Sequence, residues 1–160
     1  MKLQKVTQVI QTFAARVVTE AKQNARKNSV SGNLANSISS KERINLRQSL
    51  ITFFMSGYGK FQDLGVKGKN SGESVGKQFY GPSYPEYKYT DKAPPPNKLD
   101  KWVVRKGLAP RDKRGRFTGR SIDTVGFRKS ITFLISRKIY FQGIKPTLFF
   151  TKPFQTYFTN

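Results

Sequence analysis

The most informative stretch of the sequence runs from Val30 to Gly65 and reads VSGNLANSISSKERINLRQSLITFFMSGYGKFQDLG. Ser31 is expected to cap a short helical turn, because its hydroxyl can accept a hydrogen bond from an unpaired helix N–H group. Leu34 and Ile38 are four residues apart, so one helical turn places both on the same face. The start of this stretch therefore predicts a helical turn with one apolar face.

One long strand is expected over Glu42–Ser56. Apolar residues from Ile44 onward alternate with polar ones, which is typical of a half-buried strand. The run Leu50–Met55 is apolar on both faces, so we expect both of its faces to be covered. Gly57 and Gly59 should then end the strand.

Composition excludes several kinds of chemistry. The 160 residues fit one domain and are enough to bury a core. Cys and His are both absent, which excludes disulfides and removes the commonest metal ligand and general base. No two of the nine acidic residues are closer than five positions, so a carboxylate cluster could form only through long-range folding. We therefore expect no enzymatic activity, no metal and no cofactor.

Charge is the strongest compositional signal. The chain has 30 Lys and Arg against nine Asp and Glu, for a net charge of +21. Such a charge favours polyanions or an acidic protein surface as partners. No apolar run approaches the ~20 residues needed to span a bilayer, and the N-terminus lacks the apolar core of a signal peptide. A soluble, intracellular protein is expected.

Three further segments are predicted to be helical. Lys2–Lys27 repeats apolar residues at spacings of three and four. Asn97–Lys106 follows three prolines and precedes a glycine, with Asn97 as its cap and Trp102 in its core-facing set. Ser121–Gln142 has Ser121 or Asp123 as its cap, and Gly143 at its end. Its apolar stripe consists of Phe127, Ile131, Leu134, Ile135 and Ile139.

Two aromatic segments are expected to make contacts. Val66–Pro96 is too long for a structureless loop in a compact domain, and its five aromatic residues favour an arm that orders against a partner over a loop packed on its own chain. Tyr87 and Tyr89 alternate as in a short strand. Leu148–Phe150 is expected to be a strand, and the aromatic tail from Pro153 either closes its own core or docks on a neighbour. The expected subunit contacts are Phe79, Tyr80, Tyr84, Tyr87, Phe149, Phe150 and Phe154.

The most basic segment is Arg105–Arg120, in which Asp112 is the one acidic residue. Two interpretations stay open, a solvated loop and a loop that contacts phosphates without reading sequence. Gly115 and Gly119 are expected to keep the segment irregular, so nothing should organise its side chains for base reading. The candidates for contact with DNA or an acidic partner are Arg105, Lys106, Arg111, Lys113, Arg114, Arg116 and Arg120.

Three short motifs follow one another along the chain. Ser31–Ile38 matches the pattern Thr-Gly-x-Leu-x-x-Ser-Ile, and Tyr58–Gly65 matches Tyr-x-x-Phe-x-Glu-x-Gly with Asp63 as the acid. Pro146–Phe150 or Pro153–Phe154 would match a late Pro-Phe motif. In this order the motifs resemble the tail-completion family of tailed bacteriophages, also called neck or head–tail connector proteins. The resemblance covers about the first 65 and the last 20 residues, and residues 66–128 depart from it.

The residues and the resemblance predict an α+β fold, in which a long N-terminal helix packs on a small, mostly antiparallel sheet. A C-terminal helix and an extended arm complete one domain over residues 1–160, with the arm and basic loop inserted at about 66–120. The resemblance implies a structural virion protein, made in the host cytoplasm, that forms a ring in the neck around the DNA channel. Its implied partners are copies of itself, the portal, other neck or tail proteins, and packaged double-stranded DNA in non-specific contact.

An alternative function is a free, sequence-independent nucleic-acid-binding protein, such as a DNA-condensing or ribosome-associated factor. The positive charge and interleaved aromatic residues of this chain are typical of that class. This alternative predicts tight, strongly salt-dependent binding by the isolated monomer. It leaves the order of the three motifs and the aromatic tail unexplained.

Overall fold

The computed structural model describes residues 2–28, 31–45, 48–70, 87–119 and 125–159. These residues form an α+β fold with a long N-terminal helix, small two-stranded antiparallel sheets and a C-terminal helix, which confirms the predicted fold class. None of the described helices is long and apolar enough to cross a membrane. The helices are α1 (Lys2–Asn28), α2 (Asn33–Ser37), α3 (Gly59–Leu64), α4 (Pro96–Arg105), α5 (Val125–Gln142) and α6 (Thr151–Thr159), and the strands are β1 (Ser39–Ile44), β2 (Ser49–Phe54), β3 (Val66–Lys67) and β4 (Gly143–Ile144).

The chain divides into two compact units. Unit 1 comprises residues 1–64 and 146–160, and unit 2 comprises residues 65–145. The insertion predicted at about residues 66–120 lies in unit 2, together with α5 and β4. The prediction of a single domain stays a prediction.

The core of unit 1 forms where α1 meets α2. Ala21 and Ala25 of α1 are buried, and their small side chains let α2 approach closely. Leu34 and Ile38 fill this space with 1% and 0% exposure, which confirms that they share one face. Phe149, at 1% exposure, completes the same cluster.

The start of α2 differs from the prediction. Gly32, not Ser31, is the N-cap residue, and no side chain caps the helix. The φ of Gly32 is +70°, a left-handed conformation that glycine adopts without steric cost. The Ser31 hydroxyl lies 3.5 Å from the N–H group of Asn33, which is too long for an effective cap.

The single strand predicted over Glu42–Ser56 is wrong, because this stretch is part of an antiparallel hairpin of β1 and β2. Ile44 pairs with Ser49, and the N–H group of Asn45 donates to the carbonyl of Gln48 at 2.9 Å. Asn and Ser are turn-forming residues. The apolar–polar alternation of the sequence continues from Ile44 to Leu50, so the alternation alone does not reveal that the chain reverses direction.

Among the residues that the structure describes, one face of β2 is partly covered and the other is largely exposed. Ile51 and Phe53 are half-buried, whereas Leu50 and Phe54 are 49% and 48% exposed. The expectation that both faces are covered is therefore wrong for the isolated chain. The strand ends at Phe54, as the glycines predicted, and the short helix α3 then follows.

The strand predicted at Leu148–Phe150 is wrong as well. Leu148 has a φ of +51°, and the chain turns there and enters α6. The Phe154 ring of α6 meets Phe13 of α1 edge-on at 5.9 Å and stacks on Phe150 at 6.0 Å between ring centroids. The tail therefore closes its own core, although Phe158 remains 72% exposed.

In unit 2, α4 lies one position earlier than predicted at each end. Its N-cap is Pro95 rather than Asn97, and Gly107 follows its end with a φ of +62°, as predicted for a terminating glycine. Val103 is fully buried, whereas Trp102 is 40% exposed. The expectation that Trp102 packs in the core is therefore wrong.

Four residues of the stripe predicted for α5 are half-buried, namely Phe127, Ile131, Ile135 and Ile139, whereas the fifth, Leu134, is 57% exposed. The most deeply buried side chains of the helix are polar, since Thr132 and Ser136 are 4% and 3% exposed. Their hydroxyls donate to carbonyl oxygens, so burying them leaves no donor unpaired. The predicted caps Ser121 and Asp123 lie outside the described residues.

Short strands and a single bridge pair distant segments within unit 2. Strand β3 pairs with β4, and the N–H group of Lys67 donates to the carbonyl of Tyr87 at 2.7 Å. Tyr89 donates in turn to the carbonyl of Lys67 at 2.9 Å, so the predicted strand here is a single bridge at Lys88. The end of the predicted arm thus packs on its own chain. Residues 71–86 lie outside the described part.

Candidate functional site

The first and second motifs pack against each other in unit 1. A Cβ atom added to Gly59 would lie 2.9 Å from the Leu34 Cδ1 atom, so the start of α3 approaches α2 closely. The hydroxyl of Ser37 accepts a hydrogen bond from the N–H group of Ser56 at 3.0 Å. The first motif therefore packs against the second motif and forms a hydrogen bond with the residue that leads into it.

Asp63, the acid of the second motif, holds the segment of the third. Asp63 is only 4% exposed to solvent. One carboxylate oxygen accepts from the N–H groups of Phe150 at 2.8 Å and Thr151 at 3.3 Å, and the other accepts from the Thr151 hydroxyl. Asp63 thereby caps α6, whose first N–H groups have no partner within the helix.

This carboxylate is engaged in structure rather than poised for chemistry, because all three of its hydrogen bonds anchor α6. Across the described ranges, no group of three or more acidic side chains is arranged to hold a metal ion. The remaining candidates are the exposed basic side chains that the sequence singled out.

The most organised of these basic segments is Pro110–Thr118, which we call the basic hairpin. The N–H group of Thr118 donates to the carbonyl of Pro110 at 3.1 Å, and Arg111 pairs with Phe117 in an antiparallel bridge. Gly115 has a φ of +78° within the turn. Residues 106–119 form no helix or strand beyond this bridge, as predicted, but Gly115 permits a tight reversal within them.

Asp112 organises the turn of the basic hairpin. One carboxylate oxygen accepts from the N–H groups of Arg114 and Arg116, each at 2.9 Å, and the other lies 3.2 Å from the Arg116 Nε atom. The N–H group of Arg116 is the main cause that lowers the pKa of Asp112, and the N–H of Arg114 and the Arg116 side chain act in the same direction. The Asp112 carboxylate therefore stays charged to a lower pH than an aspartate without these donors.

Arg111 is held against an aromatic ring. Its guanidinium carbon lies 4.1 Å from the centroid of Phe117, and its Nη1 atom donates to the carbonyl of Gly115 at 2.9 Å. The Phe117 side chain is nevertheless 62% exposed. This cation–π contact fixes both strands of the hairpin at its surface.

The structure brings four of the seven predicted basic contacts together. The basic hairpin exposes Lys113 and Arg114, and the Arg116 side chain stays 70% exposed despite its ion pair. Arg105 and Lys106 instead lie at the end of α4, where cations also suit the helix dipole. Arg120 lies outside the described residues.

The predicted aromatic contacts are divided differently. Phe149 is buried in the core of its own chain, and Tyr87, Phe150 and Phe154 are half-buried. Phe79, Tyr80 and Tyr84 lie outside the described residues. Among the exposed apolar side chains that sequence reasoning did not single out are two pairs, Leu50 with Phe54 and Phe133 with Leu134. The two-sided apolar pattern of β2 pointed to the first pair.

Comparison with known proteins found no relative of this chain. No protein-family model matches it, and neither does any curated protein or solved structure. The resemblance of its three motifs to phage tail-completion proteins therefore stays a prediction. The residues and contacts described above are the basis for assigning a function.

Proposed function

We propose that the chain is a non-enzymatic structural protein of a tailed-phage virion. In this proposal it forms a ring in the neck, which joins the portal and head to the tail around the DNA channel. The observation that carries the proposal is the contact between Asp63 and the Phe150–Thr151 segment, 87 residues away in sequence. Each motif is short, but a shared role in one core gives a physical reason for all three to occur together.

The open face of β2 supports an assembly. A ring forms when one surface of a subunit binds a different surface of the next and the rotation closes. Leu50 and Phe54 lie about half exposed on a strand whose sequence is apolar on both faces. A neighbouring copy that covered this face would complete the burial that the sequence pattern predicts.

The distribution of charge fits a protein that surrounds DNA. Unit 1 has 11 basic and three acidic residues, and unit 2 has 19 basic and six acidic residues. The net charges of the two units are therefore +8 and +13. A positive potential from both units suits an extended polyanion.

Sedimentation velocity of the purified protein tests this proposal, alone and with a labelled random duplex, at low and physiological salt. We expect one large, discrete oligomer that binds the duplex weakly at physiological salt. A monomer that binds the duplex tightly at physiological salt would contradict the proposal. That result would support the second candidate function.

The second candidate is a sequence-independent nucleic-acid-binding protein that acts outside a virion. The observation that favours it is the ordered basic hairpin, whose exposed cations lie in a fixed turn. It requires no assembly, so the oligomeric state separates it from the ring. Both functions share contact with nucleic acid, which raises the question of what the hairpin binds.

A further inference from the structure

We propose that the basic hairpin is a preorganised, sequence-independent contact for the phosphates of duplex DNA. Lys113 and Arg114 are the contacting side chains, and Asp112 is a positioning residue. The inference deepens the proposed function, and it rests on that function in that a neck ring encloses duplex DNA. The tests below distinguish a failure of one from a failure of the other.

The hairpin already has the order that binding would otherwise require. The Asp112 carboxylate fixes the backbone at Arg114 and Arg116, and the Asp112 N–H group donates to the Arg116 carbonyl at 2.8 Å. Ordering a loop on binding costs free energy, so a loop ordered beforehand binds more tightly. The turn thus presents Lys113 and Arg114 at adjacent positions without a folding step.

The acid in the hairpin does not cancel this site. Arg111–Arg116 contains four basic residues and one acidic residue, so its net charge is +3. Both carboxylate oxygens of Asp112 accept hydrogen bonds within the turn. Its negative charge is therefore used to fix Arg116, while Lys113 and Arg114 remain exposed.

The aromatic ring of the hairpin favours phosphates over bases as ligands. Single-stranded binding proteins stack bases on open aromatic faces. Here the guanidinium of Arg111 lies over the Phe117 ring at 4.1 Å and occupies one face. The exposed cations are consequently the part of the hairpin best placed to bind a ligand.

Duplex DNA fits these observations better than an acidic protein does. DNA presents one negative charge per ~1.7 Å of helix axis, so adjacent cations in any register find phosphates. An acidic protein patch offers a few charges at fixed places, so it would pair with only part of the positive charge that the two units contain.

The first test compares two variants of equal charge. Lys113→Ala with Arg114→Ala removes the proposed contacts, and Lys5→Ala with Lys27→Ala removes two exposed lysines of α1. The affinity for a random duplex is measured against salt concentration. We expect the salt slope of the hairpin variant to fall by about 2, at roughly 0.9 per phosphate contact, and that of the control to stay unchanged. Equal slopes in the two variants would overturn the inference.

The second test separates organisation from charge. Asp112→Asn and Asp112→Ala remove the same charge, but only Asn keeps an oxygen that accepts the two backbone N–H groups. If charge alone mattered, both variants would bind duplex DNA equally and more tightly than the wild type. We expect the Ala variant to bind several-fold more weakly than the Asn variant. Equal affinity would show that Asp112 does not position the site.

A third measurement identifies the class of partner and keeps the two proposals apart. Poly-glutamate replaces the duplex, and sedimentation velocity reports the oligomer of each variant. If the hairpin variant lost affinity for poly-glutamate but not for the duplex, the inference would be wrong. If the hairpin variant forms the same oligomer as the wild type and its salt slope for the duplex is unchanged, the inference is wrong and the ring is unaffected. If the wild type is a monomer and the hairpin variant shows the expected change in salt slope, the ring is wrong and the inference stands.

Discussion

At the scale of single residues, Asp63 connects the ends of unit 1. Its carboxylate accepts three hydrogen bonds from Phe150 and Thr151 at the start of α6. An alanine at this position would leave two N–H groups and a hydroxyl without their acceptor in a buried place. Hydrogen bonds to charged groups contribute about 1.5–3 kcal/mol each, and leaving partners unpaired adds to the loss.

We expect Asp63→Ala to lower the free energy of unfolding by about 2–4 kcal/mol. Urea denaturation followed by far-ultraviolet circular dichroism measures the change. Asp91→Ala is the matched control, because Asp91 is exposed, and surface substitutions usually change stability by less than about 0.5 kcal/mol. Equal stability of the two variants would contradict the role of Asp63 as a cap.

Gly68 marks a close approach within unit 2. A Cβ atom at Gly68 would overlap the carbonyl group of Phe141, whereas one at Gly126 would meet no atom within 4 Å. We expect Gly68→Ala to destabilise the protein by about 1–3 kcal/mol, since the backbone must shift. Gly126→Ala lies in a helix and should be neutral or stabilising by up to ~1 kcal/mol. Thermal melting of both variants measures the contrast, and a similar melting temperature for both would refute it.

The basic segment illustrates how much of the candidate site can be predicted from the sequence. The basic composition of Arg105–Arg120 was visible directly, because charge requires no fold to be counted. Its organisation was not visible, because Asp112 acts through backbone N–H groups two and four residues away. An Asp near a glycine in a short basic run is a turn signal, and this signal could have indicated the hairpin.

At the scale of elements, the two faces of β2 have different roles. The Phe53 ring meets the Phe150 ring edge-on at 5.2 Å and the Phe154 ring at 6.0 Å between centroids. Phe53 therefore packs the β1–β2 hairpin against the segment that begins α6. Phe54 lies on the opposite face and is 48% exposed. Neighbours in sequence therefore provide a matched pair, one packed within the chain and one open.

We expect Phe53→Ala to lower the free energy of unfolding by about 2–4 kcal/mol, since a half-buried ring loses somewhat less than a fully buried one. Phe54→Ala should change it by less than about 1 kcal/mol under conditions in which the protein is monomeric. Chemical denaturation at low protein concentration measures both values. A larger loss for Phe54→Ala would reverse the assignment of the two faces.

Elements differ in how well their sequence predicts them. Helix α1 was predicted closely, because 27 residues of one period outweigh any local ambiguity. The β1–β2 hairpin was read as one strand, because its alternation continues through the turn. Helix α3 has six residues, fewer than a periodic pattern needs to be recognised. The stripe predicted for α5 is half-buried except at Leu134. The pattern does not indicate that Thr132 and Ser136 are buried beside it, because their burial depends on partners that only the fold provides.

At the scale of the whole molecule, the open face of β2 is where self-association should act. Leu50→Ser with Phe54→Ser removes the exposed apolar pair and leaves the residues of the core unchanged. We expect self-association to weaken by about tenfold or more, because apolar side chains buried at the centre of an interface contribute most of its free energy. Sedimentation velocity over a range of protein concentrations measures this change.

The control removes a similar apolar pair from unit 2. Phe133 and Leu134 of α5 are 56% and 57% exposed, so Phe133→Ser with Leu134→Ser changes surface hydrophobicity to a comparable extent. If the open face of β2 is the interface, this control should assemble as the wild type does. Unchanged assembly of the β2 variant would remove β2 from the interface.

Negative-stain electron microscopy of the purified protein shows whether copies of this chain close into a ring. We expect particles of one size, each a closed ring with a central hole. Open filaments would show that the interface repeats without closing. Such filaments, or monomers at every concentration at which the protein can be prepared, would contradict a neck ring.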